Sequence, residues 1–296
     1  MRFLYFQFFL LIFCGLISAQ ELKQINDLAY VQEGDSLQRL NLVLPEACNQ
    51  CPLFIWIGGG AWSYGDKDME MDLARQFATN GIAVASIGHR RSPATWRNAE
   101  LDEGIQHPEH IKDVAKAVKY LFHNSAEYGY SQDRFFIGGY SSGAHLAALL
   151  DLNKTYLKEV GLPQKLFKGV VPISGTYDIV DYHQTFKNGG NPELAVLHVE
   201  AVFGDSEARF LEASPIQYLK SLQSPILFMS DATIAKYTEH LEKELEKTPF
   251  TNYRVIYDKG RSHGELWQHL SKDKVSEHRN HIVDFILNGR LPSSVK

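Results

Sequence analysis

Apolar residues along this chain gather alternately in short unbroken runs and in repeats of helical spacing. The short runs predict eight β-strands, and the later ones are continuously apolar, as is typical of strands covered by helices on both faces. The predicted strands are residues 28–32, 37–45, 52–58, 82–88, 134–140, 169–174, 225–230 and 252–258.

Helical periodicity lies between these strands, most clearly in residues 108–123 and 233–247 and in a closing helix around Ile282. The first two strands are close together and alternate more in polarity, so they predict an antiparallel hairpin at a sheet edge. The strand–helix alternation that follows predicts a mostly parallel α/β sheet, with residues 20–296 forming a single domain.

The N-terminal stretch "MRFLYFQFFLLIFCGLISAQ" has one early cation, an apolar run and small residues at its end. This pattern predicts a secretory signal peptide, residues 1–19, cleaved after Ala19, and therefore export to a periplasmic or extracellular location. An uncleaved anchor is the alternative, although the apolar run is short for one. A lipoprotein signal ending at Cys14 is a third reading, against which stands the bulky Phe13.

Export changes the interpretation of the two cysteines that remain, Cys48 and Cys51. A C-x-x-C pair can be a redox motif, half of a zinc site or a short disulfide. No second pair completes a zinc site, and no helical pattern follows to lower a thiol pKa. A local disulfide in an oxidising compartment is favoured, and so small a loop should stabilise little.

Composition excludes several classes of partner. The formal net charge is −5, 22% of residues are charged and no basic cluster is present, which argues against binding to nucleic acid or a membrane surface. We expect no stable membrane insertion after signal cleavage. His107 and His110 have the spacing H-x-x-H but no evident further ligands, and His278 and His281 fall on the closing helix, so no metal is predicted.

The stretch "FFIGGYSSGAHLAALL" carries the main chemical signal. It fits G-x-S-x-G in one frame only, with Ser141 at the centre, a strand before it and a helix after it. Such a turn lifts one hydroxyl above the sheet, and the glycines at 139 and 143 let strand and helix backbones pass closely. The backbone N–H of Ser142 then points into the same space.

A serine hydroxyl needs a general base and a carboxylate that orients the base. In this motif the acid and then the histidine follow the serine along the chain. Asp231 ends the strand "PILFMS", and His263 lies just past the strand "YRVIYD". Because strand C-termini converge in an open α/β sheet, Ser141, Asp231 and His263 are the predicted triad. Asp178 and Asp205 are rival acids, each well past a strand end.

The developing oxyanion also needs fixed donors. The N–H of Ser142 is one. The expected source of others is the glycine run at residues 58–62, directly after the strand "PLFIWI", which is called the glycine loop below.

The segments "IWIGGGAWSYGDK", "IGHRRSP", "FFIGGYSSGAHLA", "ASPIQYL" and "GRSHGELW" resemble the esterase/lipase branch of the α/β-hydrolases. That branch includes hormone-sensitive-lipase-like esterases, feruloyl and acetyl xylan esterases and kynurenine-formamidase-like enzymes. The resemblance implies an α/β-hydrolase fold with Ser141 as nucleophile, Asp231 as acid and His263 as base. It also implies an oxyanion hole made by the backbone N–H groups of Gly60, Ala61 and Ser142.

Two departures from the family pattern bear on the site. Gly58 stands where the family usually has a histidine, which puts the rigidity of the glycine loop in question. The segment around Asp231 is shorter than the family usually has. Residues 177–213 are long for a simple connection and predict a small cap. Trp62, Tyr140 and Trp267 are the expected pocket walls.

The sequence therefore predicts a secreted serine carboxylesterase that cleaves small carboxylic esters, without a cofactor, through an acyl-enzyme on Ser141. A formamidase or amidase acting on a small aryl amide is the alternative within enzymes. A non-catalytic binding protein of the same fold is the alternative outside them. The substrate could be a small molecule or a polymer-derived ester.

Overall fold

The computed structural model describes residues 22–293. The predicted signal peptide, residues 1–19, and Cys14 lie outside this range. Eight strands form one sheet. They are β1 (Leu22–Ala29), β2 (Arg39–Pro45), β3 (Cys51–Ile57), β4 (Ala83–Ile87), β5 (Tyr130–Tyr140), β6 (Phe167–Ile173), β7 (Ile226–Asp231) and β8 (Tyr253–Asp258).

The strand order is β1-β2-β4-β3-β5-β6-β7-β8. Strand β2 pairs antiparallel with β1 and with β4, and every other pair is parallel. The prediction of a mostly parallel eight-stranded sheet with an antiparallel hairpin at one edge is therefore confirmed.

The first strand differs in position from the predicted residues 28–32. The structure has it at Leu22–Ala29, mostly exposed on both faces, with an irregular register between Ile25 and Leu28. An edge strand of this kind buries little on either face, so it lacks the apolar run by which the other strands were recognised.

Helices and helical turns connect the strands. The α-helices are α1 (Met71–Ala78), α2 (Glu109–His123), α3 (Ser125–Tyr128), α4 (Ser142–Leu152), α5 (Thr155–Glu159), α6 (Ile179–Lys187), α7 (Ala201–Phe203), α8 (Glu207–Ala213), α9 (Ala235–Leu245), α10 (His263–Ser271) and α11 (Glu277–Asn288). Two 3₁₀-helices span Lys67–Glu70 and Pro215–Ser221, and a π-helix spans Ala195–Glu200. Within residues 22–293, no helix has both the length and the apolar character needed to cross a bilayer.

Side chains of the central strands alternate between two apolar cores, because successive residues of a strand point to opposite faces. Leu53, Ile55 and Ile57 of β3 belong to the core that includes α2 and α4. Phe54 and Trp56 of the same strand belong to the core that includes α1, α10 and α11. Helices thus cover both faces of the sheet, as predicted.

The connection predicted as a cap, residues 177–213, folds into α6, the π-helix, α7 and α8. It is held by polar contacts between α6 and the π-helix: His183 Nε2 lies 2.9 Å from Glu200 Oε1, and the Tyr182 hydroxyl lies 3.0 Å from His198 Nε2. Its apolar side chains join the same core as α4. The connection is therefore packed against the body of the protein.

Cys48 and Cys51, just before and at the start of β3, are joined in a disulfide with their Cα atoms 5.2 Å apart. This is the pairing favoured by the sequence. The bridge closes a loop with a sequence separation of 3, which restricts the unfolded chain very little.

Replacing Leu149 by alanine is expected to lower the free energy of unfolding by about 2–5 kcal/mol, because Leu149 is fully buried in the core on α4. The matched control is Leu287→Ala on α11, where the side chain is 37% exposed and the loss should stay below about 1 kcal/mol. Urea unfolding followed by circular dichroism measures both. Equal losses for the two variants would contradict the assigned core.

Candidate active site

The chain turns sharply between β5 and α4, and Ser141 is the residue at the turn. Its φ of 56° and ψ of −120° are unusual for a residue with a side chain. The turn is held by hydrogen bonds from the Ser141 N–H to the Ile173 carbonyl (2.9 Å) and from the Ala144 N–H to the Ser141 carbonyl (3.0 Å). The backbone thus presents the serine at the carboxyl end of the sheet.

The two glycines of the motif are sterically required. A Cβ added to Gly139 would lie 2.5 Å from the backbone of Gly143. A Cβ on Gly143 would lie 2.0 Å from the carbonyl oxygen of Ile57, at the end of β3. The close passage of helix and strand expected from the sequence is therefore present.

Asp231 and His263 meet at the same edge of the sheet. Asp231 is the last residue of β7 and is fully buried, and His263 is the first residue of α10. His263 Nδ1 lies 2.8 Å from Asp231 Oδ2. The other carboxylate oxygen accepts hydrogen bonds from the N–H groups of Thr233 (2.8 Å) and Ile234 (3.3 Å). A carboxylate held in this way orients the ring with Nδ1–H towards it, which leaves Nε2 as the free base.

Burial alone would raise the pKa of the Asp231 carboxyl. The hydrogen bonds from His263 and Ser174, the charge of His263 and the Thr233 N–H outweigh it and lower the pKa to about 2. The pair is therefore held with Asp231 ionised, which is the state that stabilises a positive imidazolium.

Ser141 and His263 line one cavity of about 200 Å³. Among the described residues, no hydrogen bond joins the Ser141 hydroxyl to His263 Nε2, and such bonds commonly form only when a substrate is present. The remaining lining residues come from the end of β5, the glycine loop, its continuation and α10. They are Gly59, Gly60, Tyr64, Gly65, Met69, Glu70, Tyr140, Gly264 and Trp267.

The glycine loop reaches the cavity through Gly59 and Gly60. A Cβ on Gly59 would lie 3.2 Å from the Cβ of Ser141, so this backbone passes directly beside the serine. Gly60 has a φ of 142°, and a Cβ there would overlap Gly65. Ala61 and Ser142, the other two predicted donors, are not among the side chains and backbone that line the cavity. Ser142 nevertheless starts α4, where first-turn N–H groups have no helical acceptor.

Of the three aromatic residues expected in the pocket wall, Tyr140 and Trp267 line the cavity. The Tyr140 hydroxyl donates to the carbonyl oxygen of His263. Trp62 lies in the core instead, with its indole Nε1 donating to His145 Nδ1 (3.1 Å) and its ring packed against Phe203. His145 completes the link through Nε2, which lies 2.7 Å from a carbonyl of the 177–213 connection.

Glu70 is a cavity residue that sequence reasoning missed. It is 3% exposed, and its Oε2 accepts a hydrogen bond from the indole of Trp56 at 2.8 Å. Its Oε1 lies 3.2 Å from the indole Nε1 of Trp267. A Cβ on Gly58 would lie 3.0 Å from Glu70 Cγ. Glu70 therefore fills the space beside Gly58, where the family usually has a histidine, and braces the glycine loop.

Burial raises the pKa of the Glu70 carboxyl, against the opposing effect of the two indole hydrogen bonds. The only sequence signal was an acidic residue in "GDKDMEMD", which has the appearance of a solvated helix.

Among the described residues, neither rival acid makes a hydrogen bond or an ion pair with His263. Asp178 caps α6, accepting from the N–H groups of Val180 (3.0 Å) and Asp181 (3.2 Å). Asp205 is exposed. Asp231 is the carboxylate that the fold brings to the histidine.

Comparison with known proteins identifies the family of the chain. The family model BD-FAE matches residues 40–235. Esterase LipQ of Mycobacterium tuberculosis is 29% identical over 185 residues, which cover 61% of this chain and 41% of LipQ. The kynurenine formamidase of Danio rerio is 26% identical over 59% of this chain and 53% of its own length. The chain thus spans about half or less of the curated relatives it matches.

Solved structures share the fold at lower identity. Esterase B from Lactobacillus rhamnosis superposes with a TM-score of 0.73 at 19% identity, over 90% of this chain and 87% of its own. A truncated carbohydrate esterase from gut microbiota gives a TM-score of 0.69 at 19% identity, over 89% and 95%. The architecture is therefore the α/β-hydrolase fold. With the family model matching residues 40–235, the chain belongs to the BD-FAE family of α/β-hydrolases.

Proposed function

We propose that this protein is a carboxylic ester hydrolase in which Ser141 is the nucleophile, His263 the general base and Asp231 the residue that orients the base. The observation that carries the proposal is the 2.8 Å contact between His263 Nδ1 and Asp231 Oδ2 beside a cavity that Ser141 also lines. Relatives named as esterases support the same class of reaction.

In the first half of the reaction, His263 Nε2 accepts the hydroxyl proton of Ser141 as its oxygen attacks the ester carbonyl. Ionised Asp231 stabilises the imidazolium that forms. The carbonyl oxygen becomes negative and is stabilised by backbone N–H groups, for which Gly60, Ala61 and Ser142 are the proposed donors. The geometry adds the N–H of Gly59, whose backbone passes beside Ser141.

Collapse of the intermediate expels the alcohol, which takes its proton from His263, and leaves the acyl group on Ser141. Water, deprotonated by the same histidine, then releases the acid and restores the serine. The reaction as written needs neither a metal nor an organic cofactor, because proton transfer to His263 makes the nucleophile.

The cavity favours a small ester. At about 200 Å³ it accommodates a short acyl or alcohol group beside Ser141, between Tyr140 and Trp267. Tyr64 and Met69 line the same cavity and are 41% and 58% exposed, so its apolar wall continues to the surface. A polymer-derived ester could therefore present a small acyl group while its chain remains outside.

Hydrolysis of a small aryl formamide is the second candidate, since the kynurenine formamidase of Danio rerio matches 59% of this chain. The same residues would serve, with an amine as the leaving group. Comparing an aryl ester with an aryl formamide under identical conditions distinguishes the two.

Export is part of the proposal. The N-terminal pattern supports cleavage after Ala19, and the disulfide between Cys48 and Cys51 suits an oxidising compartment. N-terminal sequencing of the protein recovered outside the cytoplasm would test it, and a mature chain that still began at Met1 would contradict it.

Replacing Ser141 by alanine is expected to lower kcat for a short-chain p-nitrophenyl ester by at least about 10⁴-fold, because the nucleophile is lost. Ser142→Ala should stay within about tenfold of the parent, since only the backbone N–H of Ser142 takes part. The exposed Ser206→Ala is the surface control. Full activity in Ser141→Ala would refute the assigned nucleophile, and inactivity of the parent on ester and formamide alike would favour a binding protein.

The lowered pKa of Asp231 predicts a pH-dependent contribution to stability. The pKa of about 2 lies below the ordinary 3.8, so ionised Asp231 stabilises the folded state above about pH 4 and less as the pH falls towards 2. The ionised carboxylate should add about 2 kcal/mol to the free energy of unfolding of the parent at pH 6 and roughly half of that at pH 3. Asp231→Asn lacks this contribution at both pH values.

Urea unfolding at both pH values measures the difference, with the exposed Asp205→Asn as control. A difference that stays constant from pH 6 to pH 3 would contradict an ionised, hydrogen-bonded Asp231.

Glu70 is expected to disfavour substrates that carry a negative charge near the reacting ester. The measurement is the kcat/KM for an anionic hemisuccinate ester divided by the kcat/KM for the neutral butyrate ester of the same alcohol. Glu70→Gln should raise this ratio by about three- to tenfold, because one nearby charge repulsion is removed. Because burial raises the pKa of Glu70, this discrimination in the parent should grow as the pH rises. The exposed Glu246→Gln is the control, and an unchanged ratio in Glu70→Gln would exclude the effect.

A further inference from the structure

Three potential metal ligands lie together at the junction of α10 and α11. His269 is in the last turn of α10, and Glu277 and His278 begin α11. One ligand atom from each falls within 4.8 Å of the others. None of the three lines the cavity beside Ser141, so the cluster is separate from the proposed active site.

A carboxylate outside the cluster lies beside the outer ring nitrogen of each imidazole, at hydrogen-bond distance for His269 and at ion-pair distance for His278. His269 Nδ1 lies 2.7 Å from Asp273 Oδ2, and His278 Nε2 lies 3.5 Å from Asp258 Oδ2. The inner nitrogens, His269 Nε2 and His278 Nδ1, face the Glu277 carboxylate at 3.1 and 3.4 Å. An outer carboxylate on the far nitrogen of each histidine is the usual environment of metal-bound histidine, where it fixes the ring orientation.

The inner nitrogen of His278 points to a missing partner. His278 is 6% exposed, and its Nδ1 is buried without a hydrogen bond. His269 is equally buried, at 5%, and has a carboxylate at each ring nitrogen. A neutral imidazole has one N–H and can donate to one of these carboxylates only. A cation held between the rings and Glu277 would bind the lone pairs of the ring nitrogens to which the protein offers no hydrogen-bond donor.

The surrounding charge leaves an excess of carboxylates for a divalent ion. Asp258, Asp273 and Glu277 bring three negative charges to the junction. Two arginines oppose them: Arg261 lies 2.5 Å from Asp258 Oδ2 and 3.4 Å from Glu277 Oε1, and buried Arg279 donates to the carbonyl oxygens of Leu270 and Asp273. Two imidazoles and one carboxylate are ligands that zinc accepts, whereas calcium and magnesium prefer oxygen throughout.

We propose that His269 Nε2, His278 Nδ1 and the Glu277 carboxylate bind one zinc ion, with water as the fourth ligand. The ion would join the end of α10 to the start of α11. Through His278 it would also hold Asp258, whose Oδ1 accepts the N–H groups of Gly260 (3.0 Å) and Arg261 (3.1 Å) in the turn before His263. The ion would therefore steady the segment that carries the proposed base.

The test is direct zinc binding by the purified, untagged full chain, freed of metal with a chelator and dialysed. Competition with a chromophoric zinc chelator gives stoichiometry and affinity, and thermal unfolding gives the accompanying stabilisation. We expect one zinc per chain, a rise in Tm that EDTA reverses, and no rise with Ca²⁺ or Mg²⁺ at the same concentration.

Two variants separate ligand loss from misfolding. Glu277→Gln changes an exposed side chain and should weaken zinc binding at least about tenfold, and His278→Ala should do the same or more. Asp284→Asn, on the same helix outside the cluster, is the matched control and should bind zinc like the parent. Circular dichroism confirms that each variant is folded before binding is measured.

The proposal is overturned if the parent binds no zinc, or if folded Glu277→Gln and His278→Ala both bind it with the parent's affinity. Both readouts are independent of esterase activity, so they would stand if the proposed reaction were wrong. Equal stabilisation by Ca²⁺ would also overturn it, since the site would then be an oxygen-preferring one.

Discussion

The contact between Gly143 and the carbonyl of Ile57 determines how helix α4 and the glycine loop are positioned against the end of β3. Helix α4 can cross the end of β3 only if no side chain stands between them, since a Cβ at position 143 would lie 2.0 Å from that oxygen. The same approach places Gly59, two residues beyond Ile57, beside the Cβ of Ser141. The hydroxyl of Ser141, the proposed nucleophile, and the backbone proposed to stabilise the oxyanion are therefore brought together by one steric condition on the main chain.

Two buried carboxylates near this turn have pKa values displaced in opposite directions. Desolvation would raise both, but Asp231 also receives hydrogen bonds from a histidine and from backbone N–H groups, which bring its pKa to about 2. Glu70 receives only two indole hydrogen bonds, so burial prevails and its pKa is raised. The environments, and not the residue types, suit Asp231 to a permanent charge and Glu70 to a role in the wall.

Glu70 also explains how the site accommodates its departure from the family pattern. Gly58 removes a side chain at the start of the glycine loop, and Glu70 Cγ and Oε1 occupy the space at 3.0 Å from where a Cβ would be. At the other end of the loop, Trp62 is held by His145 and by the packed 177–213 connection. The loop is thus supported at both ends, although the residue that the family uses for this is absent.

Local patterns in the sequence were sufficient to predict the sheet, the hairpin at its edge and the turn at Ser141. They also predicted that Asp231 and His263 lie at the same edge of the sheet, where the two side chains meet. Apolar runs, glycines and strand ends suffice for this because they are properties of short segments. The edge strand β1 was placed too late, since a strand that buries little has no apolar run. Three features could not be predicted: the place of Glu70 in the cavity wall, the burial of Trp62, and the grouping of His269, Glu277 and His278. Each depends on contacts between distant segments, and Glu70, for example, contacts Trp267 across 197 positions. Residue type and spacing determined which groups could react, and only the packing of helices against the sheet decided which of them share a cavity.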